Sequence, residues 1–397
     1  MVLPQWRSPE TISGFFLLPA MNTILSQTII TLFLCGDLMT GRGIDQILAH
    51  SAPPRLFEPS VRDARVYVEI AERANGPIPH RVDGAYVWGD AMDELRRRAP
   101  SARIANLETS LTAGGEPWPG KGIHYRMHPA NTPLLTAAGL DVAVLANNHV
   151  LDWGYHGLAE TLDALRQAEV QIAGAGRTLA EAEAPAVVPA GAGRVLVFAF
   201  GAESSGIPAD WKASASGAGV NLLPDLTERT AAHIGELVRD VKRPGDVAIA
   251  SLHWGGNWGY DISAAQRKFA HLLVERAEID LVHGHSSHHP RPIEVYQGKL
   301  ILYGCGDLVT DYEGIGGFEA YRGELGLMYF PRINAATGKL VSLEMVPMQM
   351  KKFRLNRASR QDTMWLQETL SREGQRLGTR VAIGDGNTLV LHWEEEP

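Results

Sequence analysis

The chain has 397 residues, 45% of them hydrophobic and 21% charged, which excludes a disordered polymer and leaves room for a large core. Its net charge of -8, from 37 Lys+Arg against 45 Asp+Glu, excludes nucleic-acid binding through a general basic field. Two cysteines rule out a disulfide framework and a four-thiolate zinc site. Cys35 and Cys305 lie in apolar, strand-like runs and are expected as buried free thiols in a reducing compartment.

At the N-terminus, residues 14–35 look apolar, but Pro19, Asn22, Thr23, Ser26, Gln27 and Thr28 interrupt them. No run reaches the roughly 18 residues of a membrane span. Arg7 alone is a poor start for a signal peptide, and cleavage near Thr31 would remove the first core strand. Residues 1–28 are therefore read as a dispensable extension, Met21 as a plausible start, and the protein as cytoplasmic.

From Ile29 the chain alternates short apolar runs with amphipathic stretches, the pattern of an α/β fold. Strands are predicted over 29–36, 103–107, 142–146, 170–173, 194–200, 246–253 and 279–283. Helices are predicted over 85–98, 133–138, 157–167, 226–241 and 264–277. Asn131 ahead of Thr132-Pro133 is a good helix start. After residue 290 the pattern turns β-rich. Strands 293–297 and 300–304 flank Gly298-Lys299, a hairpin signal. Strands 325–332 and 339–346 flank an Asn-Ala-Ala-Thr-Gly turn, and Pro347 is expected to stop the second. A helix over 361–376 and strands over 379–383 and 388–393 close the chain. With neither repeat nor linker, this predicts one domain, α/β first and β-rich second.

Polar residues that do not suit a core fall at the carboxyl ends of these strands, where open α/β sheets bind ligands. They are Asp37, Asn106 and Glu108, Asn147-Asn148-His149 with Asp152, His253, and the run 283–289, which holds four of the chain's fourteen histidines. Carboxylates, amide oxygens and imidazoles together suit Zn²⁺, Mn²⁺ or Fe better than Ca²⁺. Two adjacent ions need a bridging carboxylate. In the cluster His285 is the safest ligand and His288 follows, with His289 as its alternative; His283 reads as core or as a support for a ligand. The loop 118–128 carries Lys121, His124, Tyr125 and Arg126 near the crevice, either to recognise a carboxylate or phosphate or as an ordinary surface loop. Ser204-Ser205, Ser286-Ser287 and the cysteines lack a nucleophile elbow, and Gly174-Ala175-Gly176 does not follow a dinucleotide-loop pattern.

The order Gly36-Asp37-x-Met39-x-Gly41-Arg42, Asn106-Leu107-Glu108, Ala146-Asn147-Asn148-His149 with Asp152 and Gly154, His253-Trp254-Gly255, Gly284-His285-x-x-His288 and Ile293-Glu294-Val295-Tyr296 resembles the calcineurin-like metallophosphatase superfamily. It is most similar to the CapA branch, the capsule or poly-γ-glutamate biosynthesis proteins. The resemblance covers residues 29–312. It implies a four-layer αββα sandwich over 29–350, the β-rich part supplying the second sheet, with the helix and strand pair of 351–397 packed on the same domain. It implies one or two divalent ions (Mn, Zn or Fe): Asp37, Glu108 and His288 around one, and Glu108 bridging to a second held by Asn148, His253 and His285. His149 would be the general acid, and Arg42 would offer its guanidinium fork to an anionic substrate. Asn106, Lys121, Tyr125 and Arg126 are expected to bind that substrate. The chain departs from the superfamily pattern at Met39, where a His or Asn ligand is usual, at Asn257 for an acidic residue, and at Asp307 for an Asn.

The expected activity is metal-dependent hydrolysis or transfer on an acidic polymer, peptide or phosphorylated substrate. Two alternatives stay open at this point: a non-catalytic polyglutamate-binding accessory subunit, and a metal-poor acid/base enzyme such as a peptide epimerase. No nucleic acid and no integral membrane span are expected among its partners.

Overall fold

The computed structural model describes residues 29–394. The expected N-terminal extension, Met21 included, lies outside the described residues. Two large sheets dominate. Their strands, in chain order, are β1 (Ile29–Leu38), β2 (Ala102–Leu107), β3 (Val142–Val144), β4 (Gln171–Ala173), β5 (Ala186–Ala190), β6 (Gly193–Gly201), β7 (Val247–His253), β8 (Leu281–His285), β9 (Ile293–Tyr296), β10 (Lys299–Leu302), β11 (Asp307–Val309), β12 (Leu325–Asn334), β13 (Lys339–Lys351), β14 (Arg354–Arg357), β15 (Thr379–Ile383) and β16 (Leu389–Trp393). The first sheet runs β15-β16-β13-β12-β1-β2-β3-β4, with β11 beside β1 and β14 beside β13; the second runs β9-β10-β8-β7-β6-β5.

Side-chain alternation along the strands builds the layers. On β1, Phe33 and Cys35 enter one core with Trp88, Leu134 and Leu158 from the helices over that face. Leu32 and Leu34 point the other way, into a core shared with Val195, Val197 and Ile249 of the second sheet. On β6, Leu196, Phe198 and Phe200 turn outward into a third core with Phe269 and Leu273 of the helix Ala264–Arg276. Helix, sheet, sheet, helix: the sandwich has the four layers expected.

Parallel pairing of β1 with β2, β2 with β3, β6 with β7 and β7 with β8 points all these strands the same way within each sheet. Their carboxyl ends meet at one edge. There the His283 Nε2–H donates to the Cys35 carbonyl at 2.8 Å, joining the second sheet to the first. At the end of β1 the ladder to β2 slips between Cys35 and Asp37. A bulge of this kind re-aims the side chain beyond it. Gly36 makes it possible, because a Cβ there would stand 2.0 Å from the Gly306 carbonyl oxygen.

Three expectations need correction. The β-rich C-terminal part does not supply the second sheet: β9 and β10 join it, but β12, β13, β15 and β16 extend the first sheet from the free edge of β1. The predicted helix 85–98 is two, Gly84–Trp88 and Ala91–Arg98, broken at Gly89, whose φ of 44° leaves the helical region. Pro347 does not end its strand. Its carbonyl accepts the Ala358 N–H, on the side away from β12, and it stands where β13 changes partner from β16 to β14. The ring nitrogen thus faces a gap between ladders, where no donor is missed.

Candidate metal centre

Five strand ends deliver the residues. Asp37 and Asn106 lie one residue from the ends of β1 and β2, Glu108 follows β2, Asn147 to His149 follow β3, and His253 and His285 end β7 and β8. All but the half-buried Asn148 are buried. Asn106 stands between the carboxylates, its Nδ2 donating to Asp37 Oδ1 at 2.8 Å and to Glu108 Oε2 at 3.2 Å. Its own Oδ1 accepts from Asn147 Nδ2 at 3.0 Å, and Asn147 Oδ1 accepts the His149 N–H. Asn106 was expected to touch substrate; the structure uses both ends of its amide to space the two acids.

The tautomers follow from donor counting. The Cys35 carbonyl only accepts, so His283 Nε2 carries a proton. Burial pushes the His283 pKa down to about 4, so the ring is neutral and its Nδ1 accepts from the Ser251 hydroxyl at 3.0 Å. Ser251 has no second proton and accepts from His285 Nε2 at 3.0 Å. His285 Nδ1 is therefore a bare lone pair, 2.8 Å from His253 Nδ1 and 3.9 Å from Asp37 Oδ1. His253 Nε2 lies 3.2 Å from Asn148 Oδ1 and 3.9 Å from Glu108 Oε1.

Acceptors thus outnumber donors among these buried side chains. Burial, then the charge of Asp307, raises the Asp37 pKa to about 7; burial, then Asp37, pushes Glu108 well up. Burial and neighbouring imidazoles hold His253 and His285 well below the ordinary histidine value. Converging lone pairs and carboxylates that burial keeps from ionising fit a cation. Asp37, His253 and His285 offer ligand atoms within 4.8 Å of one another, and so do Asp37, His288 and Asp307. His288 donates through Nδ1 to Asp307 Oδ1 at 3.0 Å, while its Nε2 is 3.0 Å from Asn257 Nδ2. Burial alone would lower its pKa, but the Asp307 carboxylate outweighs it and the net shift is upward. Both nitrogens of His289, by contrast, are bound to backbone, to the Gly259 N–H and the Pro290 carbonyl.

His149 sits beside this cluster. Its Nδ1 is 2.6 Å from Asp152 Oδ2, its Nε2 is 3.8 Å from Glu108 Oε1, and the Tyr125 ring meets it edge-on. Burial lowers its pKa to about 4 despite Asp152, so it rests neutral, with Nδ1–H on Asp152 and Nε2 turned inward. Lys121 was expected to hold substrate. Instead its ammonium donates to Asp152 Oδ1 at 2.5 Å and to the Asn148 carbonyl, bracing both residues from behind.

Two arginines also differ from expectation. Arg42 does not present its fork to a ligand: Nε and Nη2 grip Asp311 at 3.1 and 2.5 Å, and Nη1 donates to Glu58 and Tyr67, both at 3.0 Å. Arg126 turns away to the Pro53 carbonyl at 2.6 Å and lies over the Trp153 ring. Tyr125 is buried and bonded through its hydroxyl to that of Tyr312 at 3.0 Å. A cleft of about 620 Å³ opens beside His288, walled by Trp258, Tyr312 and Phe318.

Sequence reasoning missed Ser251 as part of the site, and noted Asp307 as a departure from the superfamily pattern without giving it a role. Period-two alternation carried the first signal, since Ser251 shares a strand face with His253, as His283 does with His285. The place of Asp307 beside Asp37 comes only from its register across the β1–β11 pair.

The chain matches the bacterial capsule synthesis protein family PGA_cap over residues 31–312. It is 50% identical over 365 residues to the "Probable polyglutamine synthesis accessory protein" of Mycobacterium tuberculosis (strain ATCC 25618 / H37Rv), covering 91% of this chain and 96% of that protein. The "PGA biosynthesis protein CapA" of Bacillus subtilis (strain 168) is 25% identical over 286 residues, 72% of this chain and 64% of that one. The "Capsule biosynthesis protein CapA" of Bacillus anthracis is 22% identical over 282 residues, 71% of this chain and 60% of that one.

Proposed function

The chain belongs to the bacterial capsule synthesis protein family PGA_cap, and from that premise we propose that it serves the making of a glutamate- or glutamine-based polymer by metal-dependent hydrolysis or transfer on the polymer, a peptide piece of it or a phosphorylated intermediate. The observation that carries this reading is that Asp37, His253 and His285 offer ligand atoms within 4.8 Å of one another, with Asn148 Oδ1 and Glu108 Oε1 at 3.2 and 3.9 Å from His253 Nε2. These residues would hold a divalent transition ion, which when bound supplies Lewis-acid polarisation and an activated water. Asn106 keeps the two carboxylates apart and aimed. The His283–Ser251–His285 chain fixes the ligand lone pair, as supporting hydrogen bonds do in metal sites.

His149 serves proton transfer. Asp152 and Lys121 fix its ring so that Nε2 faces Glu108 and the crevice, the position from which a proton reaches a leaving oxygen. The cleft beside His288 gives the rest of the substrate a place to lie. This reading places the protein in the cytoplasm, where Cys35 and Cys305, both buried and free, stay thiols.

The test is turnover by the purified protein on phosphoesters and on glutamyl peptides, with and without chelator. We expect activity on one class that chelation abolishes, metal restores and His253→Ala lacks. Binding of polyglutamate or polyglutamine with no turnover on either class would replace this reading with that of a non-catalytic accessory subunit, which the name of the mycobacterial relative favours.

A further inference from the structure

Two departures from the superfamily pattern, at residues 39 and 307, stand on either side of Asp37. Met39 is fully buried, and its thioether sulfur accepts the Tyr312 hydroxyl at 3.7 Å. A soft thioether is a poor donor for Mn²⁺ or Zn²⁺, so this position supplies no ligand. Asp307 faces Asp37 across the parallel pair β1–β11. One of its oxygens takes the His288 proton; the other, Oδ2, is buried with no hydrogen-bond partner among the described residues, in a residue only 2% exposed. A buried carboxylate oxygen left bare costs free energy, and a second carboxylate beside it adds repulsion. A cation relieves both.

We propose that Asp307, with Asp37 and His288, forms a second cation pocket that takes over the ligand role Met39 cannot fill, and that this carboxylate-rich pocket prefers a harder ion such as Mn²⁺ to the Zn²⁺ or Fe suited to the imidazoles of His253 and His285. Asp37 is common to both pockets. The proposal rests on the metal-centre reading above but fails separately from it.

Asp307→Asn separates a ligand from a mere support. The amide oxygen still accepts the His288 proton, so a purely orienting role survives the change, while the anionic Oδ2 is lost. The experiment titrates metal-stripped full-length protein with manganese chloride or zinc chloride, counts bound ions, and reads bound Mn²⁺ by electron paramagnetic resonance. Wild type should bind two ions. D307N should weaken the Mn²⁺ ion by more than the roughly 10–100-fold that loss of a supporting hydrogen bond costs, and keep the ion at His253 and His285. Adding Met39→His to D307N should restore the second ion. If D307N fails to fold, as judged by its melting curve, Met39→His alone decides: it should tighten Mn²⁺ at the same pocket. Two ions held equally well by D307N and wild type, or one ion in wild type that D307N leaves untouched, would overturn the proposal while sparing the metal-centre reading. No ion in wild type would overturn both.

Discussion

On the proposed reading, Asn148 and His149, neighbours in the chain, divide their work because the backbone turns after β3. The amide oxygen of Asn148 points at His253, whereas His149 is clamped by Asp152 and turns Nε2 toward Glu108. His149→Asn should keep metal and fold yet lower turnover by roughly 10²–10⁴, the usual worth of a general acid. The loss should shrink on substrates with acidic leaving groups, which need no proton. Asn148→Ala should weaken metal binding, with partial rescue by excess metal; equal metal loss in both variants would refute the division. Ser251→Ala should lower metal affinity by roughly 10–100-fold through the freed His285 tautomer, as titration calorimetry can show. Arg42 belongs to stability. Arg42→Met strands the buried Asp311 and Glu58, and urea unfolding should show a loss of about 3–5 kcal/mol.

Among the elements, β1 matters most, since it carries Asp37, pairs with three strands, β2, β11 and β12, and ends in the bulge at Gly36. Gly36→Ala drives a methyl into the Gly306 carbonyl. It should cost at least about 2 kcal/mol by denaturant unfolding, at the upper side of ordinary overpacking, and weaken metal binding by moving Asp37. Most elements were legible in the residues because hydrophobic period and turn chemistry agreed: the hairpin expected at Gly298-Lys299 forms one residue earlier, at Gln297-Gly298, where both φ are positive. Where the sequence misled, a tertiary contact decided. Nothing local says that Pro347 stands between two ladders, or that Gly89 breaks a helix by packing against the Leu355 carbonyl. The helix Arg65–Asn75, strongly amphipathic but lacking a side-chain cap, was not foreseen.

At the scale of the whole molecule, two sheets stack face to face, and the carboxyl ends of their strands meet along one rim, which brings the candidate ligands together. Asp37, Glu108, His253 and His285 come together because β1, β2, β7 and β8 each end there. Strand-end placement made them legible, whereas the role of Arg42 was not, since its partners Glu58 and Asp311 lie 16 and 269 residues away. The strand order was not legible either: β12 pairs with β1 across some three hundred residues of chain. The central claim is that this edge is a metal centre. Its most direct test is elemental analysis of wild type, Glu108→Ala and His253→Ala, purified untagged from metal-replete cells. The account predicts at least one transition ion per wild-type chain and its loss from folded His253→Ala and Glu108→Ala. Wild-type protein free of transition metal, or variants that keep their full complement, would contradict it.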